Sequence, residues 1–288
     1  MKKYLSKSQI EELKQDFKEN LKGFVQTLKS NVSTKSNEWT IKGFIDVFKN
    51  IYTISADTKI ISKILEIHIF PKLLDFAKEN SFKLVLPDHQ NYYPDISLIH
   101  SQNDNIKFAI DLKTTYRLPD NPDFCNGFTL GSHGEYFINR SSKKNIQFPY
   151  NEYLGHFCLG IIYTRNAPEN IDETKVYSID KLKSISSVIK DFEFFVCEKW
   201  EIASDKSGSG NTANIGSINK IEDIINGNGT FKKLGEKIFD DYWMNYRKIS
   251  IINDKGIEKK ITKLVEFLNY RGIKSENINK KAKRGRKI

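Results

Sequence analysis

The 288-residue sequence has only three cysteines and no long hydrophobic run, which argues against a disulfide-bonded protein and against a membrane-spanning protein. The longest apolar run, Phe157 to Tyr163, has seven residues, whereas a membrane-spanning helix needs about 18. The charged stretch after Met1-Lys2-Lys3-Tyr4 argues against a secretory signal peptide. Cys125, Cys158 and Cys197 have no CxxC spacing, so we expect reduced thiols in a cytoplasmic protein rather than disulfides or a zinc site.

Two further absences concern catalysis. The five histidines have no HxxxH or HExxH spacing, and the sequence contains no GxSxG elbow. Zinc chemistry and a serine hydrolase are therefore both disfavoured.

Positive charge is in excess, with 46 Lys and Arg against 36 Asp and Glu, a net charge of +10. Residues 274–288 hold seven basic residues and one acidic residue, so this short tail carries +6 and the other 273 residues carry +4. Most of the excess thus predicts a flexible tail with salt-sensitive attraction to phosphates. By itself the net positive charge is only a weak indication that the protein binds nucleic acid.

Hydrophobic spacing predicts a mixed α/β domain, because amphipathic helices alternate with short strands. A capping box at Ser8-Gln9-Ile10-Glu11 predicts a helix over 8–29, and Asp57 predicts the cap of a second helix that continues past Pro71 to about Ala77. The remaining predictions are strands at Phe82–Leu86, Ile96–Ile99 and Lys107–Lys113, helix or strand at Leu154–Tyr163 and Glu193–Ile202, loops at 117–127 and 203–217, and helices at Asp240–Tyr246 and Ile261–Leu268.

One pair of motifs fits the chemistry of phosphodiester hydrolysis. Pro94-Asp95 is followed by Asp111-Leu112-Lys113. Mg²⁺ is usually held by one or two carboxylates, and a lysine can stabilise the charge that develops on phosphate. Asp111 and Lys113 stand two apart in a predicted strand, so their side chains share a face. A hairpin with the strand at Ile96–Ile99 would bring Asp95 and Asp111 together at one sheet edge.

The same residues also fit a structural role. The chain has four Pro-Asp pairs, and Asp/Glu-x-Lys recurs at five other places. A Pro-Asp turn followed by a strand with a solvated polar face would give the same letters, and spacing alone leaves both interpretations open.

Two polar segments could read DNA. Small residues dominate 207–217, where backbone groups could approach base edges, Asn211 could pair with adenine and the Thr212 methyl could meet thymine. Such a run is equally typical of a flexible connection. His89-Gln90-Asn91-Tyr92-Tyr93 precedes Pro94-Asp95 directly and could read a minor groove, although an ordinary polar turn has the same composition.

Taken together and in order, these segments resemble type II restriction endonucleases of the PD-(D/E)xK superfamily. The resemblance rests on Gln90 to Asp95, on Ile110 to Tyr116 and on the loop Gly208 to Ser217, and it runs from about residue 50 to 250. It implies a mixed central sheet flanked by helices. It also implies a helical or dimerisation region at 1–50, a catalytic and DNA-binding domain at 51–250, and a helix with a basic flexible tail at 251–288.

The resemblance also implies roles for particular residues. Asp95 and Asp111 would be Mg²⁺ ligands, Lys113 the catalytic lysine, and Glu66 a further acidic residue at the metal. The major-groove loop would comprise Gly208, Ser209, Gly210, Asn211, Thr212 and Asn214, and Gln90 and Asn91 would lie in the minor-groove loop. Contacts with the DNA backbone would come from Thr58, Lys59, Thr114, Tyr116 and Lys144. Ala213 stands where the resembled enzyme has threonine, and we expect the specificity to be kept because Asn211, Thr212 and both glycines remain.

The implied activity is Mg²⁺-dependent cleavage of both strands of duplex DNA, at GATATC, to blunt ends with 5′-phosphates. A palindromic site is most simply served by a two-fold homodimer in the bacterial cytoplasm. Its host would need a cognate methyltransferase, although not as a physical partner. The alternatives are a repair or junction nuclease of the same superfamily and a non-catalytic, sequence-specific DNA-binding protein.

Overall fold

The computed structural model describes residues 5–166, 172–208, 213–252, 256 and 258–274. Its α-helices are α1 (Lys7–Val32), α2 (Thr58–Glu79), α3 (Glu135–Ile138), α4 (Ile221–Ile225), α5 (Glu236–Asn245) and α6 (Leu264–Tyr270). Its strands are β1 (Gly43–Ile45), β2 (Asn50–Thr53), β3 (Phe82–Val85), β4 (Ile96–His100), β5 (Lys107–Leu118), β6 (Asn121–Cys125), β7 (Thr129–Ser132), β8 (Gly155–Arg165), β9 (Val176–Ser178), β10 (Ile189–Glu198), β11 (Ala203–Ser207), β12 (Asn214–Ser217), β13 (Ser250–Ile252) and β14 (Glu258–Lys260). Over these ranges, no helix is long and apolar enough to cross a membrane.

The largest sheet has the strand order β10-β8-β5-β4-β3, with β6 paired to β5. Two three-stranded sheets have the orders β1-β2-β9 and β11-β12-β7, and β13 pairs with β14. This combination of sheets and helices confirms the predicted mixed α/β class.

The chain forms two compact units. One takes the chain up to Lys83 with Leu112–Cys125 and Leu159–Val196, and the other takes Leu84–Asp111, Asn126–Cys158 and the chain from Cys197 onward. The division of the sequence into 1–50, 51–250 and 251–288 stays a prediction.

In the first unit, α1 packs on α2 through aromatic side chains. The Phe17 ring lies edge-on to Phe76, at 6.2 Å between ring centroids, and edge-on to Phe82 at 5.5 Å. Buried aliphatic residues at helical spacing, Leu21, Val25 and Leu28, extend this contact face along α1. The long N-terminal helix is thus an integral part of this core.

In the second unit, the core is mainly aromatic. Phe231 and Phe239 meet edge to face at 5.4 Å, and Tyr242 contacts Trp243 at 5.2 Å. The Tyr242 hydroxyl donates to the backbone oxygens of Asp205 at 2.7 Å and Thr262 at 3.0 Å, which attaches α5 to β11 and to the segment before α6.

Both long predicted helices are confirmed, although the first begins earlier than predicted. Its capping box is formed by Ser6 and Gln9: the Gln9 N–H donates to the Ser6 hydroxyl at 3.3 Å, and the Ser6 N–H donates to Gln9 Oε1 at 2.8 Å. The Ser8 box was therefore wrong, because the serine two residues upstream has the same spacing to an amide acceptor. Asp57 caps α2 as predicted, and Pro71 lies within that helix.

The loop prediction at 117–127 was wrong for most of the segment, and the loop prediction at 203–217 was wrong at both ends. β5 continues to Leu118 and turns into β6, while the second segment contains β11 and β12. Gly, Pro, Asn and Ser marked the turns of these hairpins, and pairing between strands extended β-structure to the flanks. The two segments left open are both mainly strand, β8 and β10, and a 3₁₀ helix at Lys199–Ile202 follows the latter.

The two C-terminal helices are confirmed with shifted bounds, as α5 begins at Glu236 and α6 at Leu264. The predicted flexible tail lies outside the described residues.

Candidate active site

The antiparallel pairing of β4 with β5 brings the two predicted metal ligands next to one cross-strand pair. Ile96 pairs with Ile110 in this register. Asp95 directly precedes Ile96 and Asp111 directly follows Ile110, so the two aspartates adjoin the same cross-strand pair. The predicted hairpin is therefore confirmed. Its two aspartates lie within the sheet rather than at its outer edge, because β3 continues the sheet beyond β4.

The environment of these residues suits a divalent cation. Asp111 is buried, with 4% of its surface exposed, whereas Asp95 and Lys113 are half-buried. Alternation along β5 places Asp111 and Lys113 on one face. Within the described parts of the chain, no group of three or more His, Cys, Asp or Glu could share a metal ion. The pair Asp95 and Asp111 nevertheless fits Mg²⁺, which needs only one or two carboxylates and keeps several waters.

Glu66, the third acidic residue predicted at the metal, lies half-buried on α2. Its carboxylate accepts from the Lys63 ammonium at 2.7 Å, one turn earlier on the same helix. Its predicted role at the metal stays a prediction.

The segment before Asp95 is attached to residues 145–147. The Tyr93 N–H donates to the Asn145 oxygen at 3.1 Å, the Gln147 N–H donates to the Tyr93 oxygen at 2.8 Å, and the Asp88 N–H donates to Gln147 Oε1 at 2.8 Å. Gln90 and Asn91 are exposed within this turn. Both amide side chains are therefore available for the predicted contact with a minor groove.

The same attachment involves the segment that contains Lys144, one of the predicted contacts with the DNA backbone. Lys144 is exposed and precedes Asn145, which binds Tyr93. Its sequence distance from Asp95 gave no hint of this proximity, which depends on the pairing of residues 93 and 146.

The predicted recognition loop connects β11 to β12. Of the residues named for it, Ser209, Gly210, Asn211 and Thr212 lie outside the described residues, and Gly208 and Asn214 flank them. The Gly208 N–H donates to the Asn214 oxygen at 2.7 Å, and the His133 N–H donates to the Ala213 oxygen at 2.8 Å. Asn214 also pairs with Ser132 of β7. Both ends of the loop are thus held by backbone hydrogen bonds.

Among the predicted backbone contacts, Thr58 and Lys59 begin α2. The Lys59 N–H donates to the carboxylate of the cap residue Asp57 at 2.8 Å. Thr58 is half-buried and the Lys59 side chain is exposed. The Asp57 carboxylate also accepts from the Ile60 N–H at 3.2 Å, so the first backbone N–H groups of α2 are bound within the protein, and any contact of Lys59 with phosphate would come from its exposed ammonium.

Thr114 and Tyr116 lie on β5 and are half-buried. The Arg165 guanidinium lies 3.6 Å from the centroid of the Tyr116 ring, a cation–π contact that sequence reasoning did not assign. Burial raises the pKa of the neighbouring Tyr163 hydroxyl to about 12, so Tyr163 stays neutral near physiological pH. Arg165 is therefore an additional positive charge beside a predicted phosphate contact.

Comparison with known proteins gives this arrangement a family. The family model described as restriction endonuclease EcoRV matches residues 35–272, a longer span than the sequence resemblance indicated. The type II restriction enzyme EcoRV of Escherichia coli is 36% identical over 244 residues, which cover 83% of this chain and 95% of that enzyme. The restriction-endonuclease-like fold inferred from the motifs is confirmed. The chain therefore belongs to the EcoRV family of restriction endonucleases and is a type II site-specific deoxyribonuclease.

Proposed function

We propose that this enzyme hydrolyses both strands of duplex DNA at GATATC, with Mg²⁺ as cofactor, and leaves blunt ends with 5′-phosphates. The observation that carries the proposal is the register of β4 and β5: Asp95 and Asp111 adjoin the same cross-strand pair, Ile96 with Ile110, and Lys113 stands two residues after Asp111 on β5. This is the charge arrangement that metal-assisted hydrolysis of a phosphodiester needs.

In this proposal Asp95 and Asp111 hold Mg²⁺, with Glu66 as a further acidic residue at the site. When bound, the ion supplies positive charge to the phosphate and lowers the pKa of a coordinated water. The Lys113 ammonium stabilises the negative charge that develops on the phosphate oxygens. The burial of Asp111 strengthens its attraction for a cation relative to an exposed carboxylate, because the local dielectric is lower.

We assign recognition of the DNA sequence to two segments of the chain. The loop with Gly208, Ser209, Gly210, Asn211, Thr212 and Asn214 contacts base edges in the major groove, and Gln90 and Asn91 contact the minor groove. Thr58, Lys59, Thr114, Tyr116 and Lys144 bind the DNA backbone and set the register of the protein on the duplex. The central TA step of GATATC is flexible, so bending there brings the scissile phosphates to the two active sites at low cost.

A homodimer follows from the symmetry of the site and is supported by an exposed apolar face. On the β1-β2-β9 sheet and its β1–β2 turn, Val47 is 90% exposed and Phe48 81% exposed, and Phe44, Tyr52 and Val176 lie about half exposed nearby. A contiguous apolar patch of this kind is typical of an interaction surface. We assign it to a second copy of the chain, related by a two-fold axis.

The three cysteines are free thiols and buried, in keeping with a reducing bacterial cytoplasm as the proposed location. A host whose genome carries the site would need a methyltransferase to protect it.

Digestion of a plasmid of known sequence with Mg²⁺ tests the activity. We expect discrete blunt fragments that end within GATATC, and none from Asp111→Ala. Asp123→Ala is a matched control because Pro122-Asp123 is another Pro-Asp pair with an exposed aspartate, and we expect it to cut like wild type.

Each contrary outcome has a separate meaning. Fragments with other ends would refute only the assignment of GATATC, whereas nicks without site preference would favour a repair or junction nuclease. Binding to one sequence without cleavage would favour a non-catalytic DNA-binding protein. Equal cutting by Asp111→Ala would refute the proposed site.

Sedimentation tests the dimer. We expect Phe48→Lys to give monomers because it places a charge on the apolar face. Ile252→Lys changes a residue that is 76% exposed outside that face and should leave dimers. A dimeric Phe48→Lys protein would refute this interface.

A further inference from the structure

A buried aromatic cluster lies directly behind the Asp95 segment, and the proposed reaction assigns it no role. Its members, each at most 7% exposed, are Tyr93, Tyr136, Tyr150, His156 and Lys199. The Tyr93 and Tyr136 rings are stacked at 5.3 Å with planes 10° apart, and the Lys199 ammonium lies 4.4 Å from the Tyr93 ring centroid. A fully packed cluster of this kind leaves little room for its rings to shift.

The cluster is connected to the Asp95 segment through Tyr93. Tyr93 is joined through Pro94 to Asp95, and its backbone is bound to Asn145 and Gln147. Its hydroxyl lies 3.0 Å from Nδ1 of His156. A displacement of the Tyr93 ring would therefore move the main chain two residues before a proposed metal ligand.

The cluster is connected to the end of the recognition loop through Tyr136. The Tyr136 hydroxyl accepts a hydrogen bond from the Ser132 N–H at 3.3 Å, and Ser132 pairs with Asn214 at the end of the loop. The next residue, His133, donates its N–H to the Ala213 oxygen. Tyr136 therefore touches both β7, which pairs with the end of the loop, and Tyr93, which precedes the metal ligand.

We propose that Tyr136 is a positioning residue that holds the end of the recognition loop, at Ala213 and Asn214, and the Asp95 segment in one fixed relation, so that seating of the loop on DNA and placement of the metal ligand are coupled. This inference rests on the proposed function, since it assigns a cause to sequence discrimination at that same site. Its physical basis is that packed elements transmit displacements rather than absorb them.

The ring and the hydroxyl of Tyr136 have separable roles. Tyr136→Phe keeps the stack on Tyr93 and removes the acceptor for the Ser132 N–H, so it loosens the loop side alone. Tyr136→Leu removes both contacts and also loosens the metal side. If Tyr136 had only a structural role, both variants would lower stability, and neither would change sequence discrimination separately from the cleavage rate.

The experiment measures single-turnover cleavage rates at saturating enzyme, on the duplex that wild type cuts and on duplexes with one base pair changed. For Tyr136→Phe we expect a near wild-type rate on the correct site and a rate ratio between correct and altered sites that is about threefold to tenfold lower, the range expected from one lost hydrogen bond. For Tyr136→Leu we expect roughly a hundredfold slower cleavage of the correct site, because small misplacements of reacting groups cost this much. DNA affinity for the correct site should change by less than about threefold, since the base contacts remain.

Tyr153→Phe is the matched control. Tyr153 is also buried, and its hydroxyl lies 2.7 Å from the Ser97 hydroxyl, so the variant loses a buried hydrogen bond in the same unit without touching β7. We expect its rate ratio between correct and altered sites to equal that of wild type.

An unchanged rate ratio in Tyr136→Phe, or an equal loss in Tyr153→Phe, would overturn the inference. If Tyr136→Leu does not fold, as judged by thermal unfolding, the comparison of the two Phe variants still decides. A wild-type protein that cuts no duplex would overturn the proposed function itself. A wild-type protein that cuts, with unaltered discrimination in Tyr136→Phe, would overturn only the role of Tyr136.

Discussion

Replacement of Phe17 by alanine tests whether the N-terminal helix, which precedes the matched family region, is part of the folded core. Phe17 is 3% exposed, and its ring meets Phe76 and Phe82 edge to face. Truncation of a buried phenylalanine to alanine typically costs about 3–5 kcal/mol of unfolding free energy. Because two aromatic neighbours lose their partner, we expect a value in the upper half of that range.

The assay is urea unfolding, followed by far-UV circular dichroism and by tryptophan fluorescence, with the slope against urea compared between variants. Gly23→Ala on the same helix is the internal control. A Cβ at Gly23 would meet no atom within 4 Å, so this change should stabilise the protein by about 0.5–1 kcal/mol through helix propensity. A loss below about 1 kcal/mol for Phe17→Ala would contradict the packing of α1 on α2, because exposed substitutions fall near that size.

Two further predictions concern packing and pH. A Cβ at Gly160 of β8 would overlap the ring of Phe195, which is 3% exposed. Gly160→Ala should therefore lower the unfolding free energy by about 1–3 kcal/mol, and the double variant with Phe195→Leu should recover part of this loss. A neutral Gly160→Ala would contradict this contact. Burial lowers the pKa of His68, whose Nδ1 accepts from the Trp39 indole N–H at 3.3 Å. As the pH falls, the unfolded state therefore binds a proton at His68 before the folded state does, and stability should decrease below about pH 6.5. Urea midpoints measured at pH 7.5, 6.5 and 5.5 should fall less in His68→Gln than in wild type. An equal fall of the urea midpoints in both proteins would argue against this role of His68.

The sequence was most informative where structure is local. The i, i+3 and i+4 spacing predicted α1 and α2, and the side-chain oxygen of Asp57 predicted where α2 begins, because both signals act within one or two turns. Even here the choice between Ser6 and Ser8 was decided by the folded chain. Both serines have the capping spacing, and the helix extends to the earlier one.

Pairing between distant segments could not be predicted in the same way. The segment 117–127 is mostly strand and 203–217 is strand at both ends, because cross-strand hydrogen bonds outweigh the turn preference of Gly, Asn and Ser there. The contact of Arg165 with Tyr116, across 49 residues of sequence, depends on the relative placement of β5 and β8 and leaves no local pattern.

The sequence by itself determined the chemical groups, namely two aspartates and a lysine in motifs that resemble a nuclease family, and the class of fold that carries them. Only the tertiary structure decided which of the four Pro-Asp pairs lies beside the same cross-strand pair as Asp111, because the register of β4 against β5 sets that choice. It also placed Tyr136 between the recognition loop and Tyr93. The physical reason is that side-chain identity and local propensity belong to the chain, whereas the distance between residues far apart in sequence is set by the packing of the whole core.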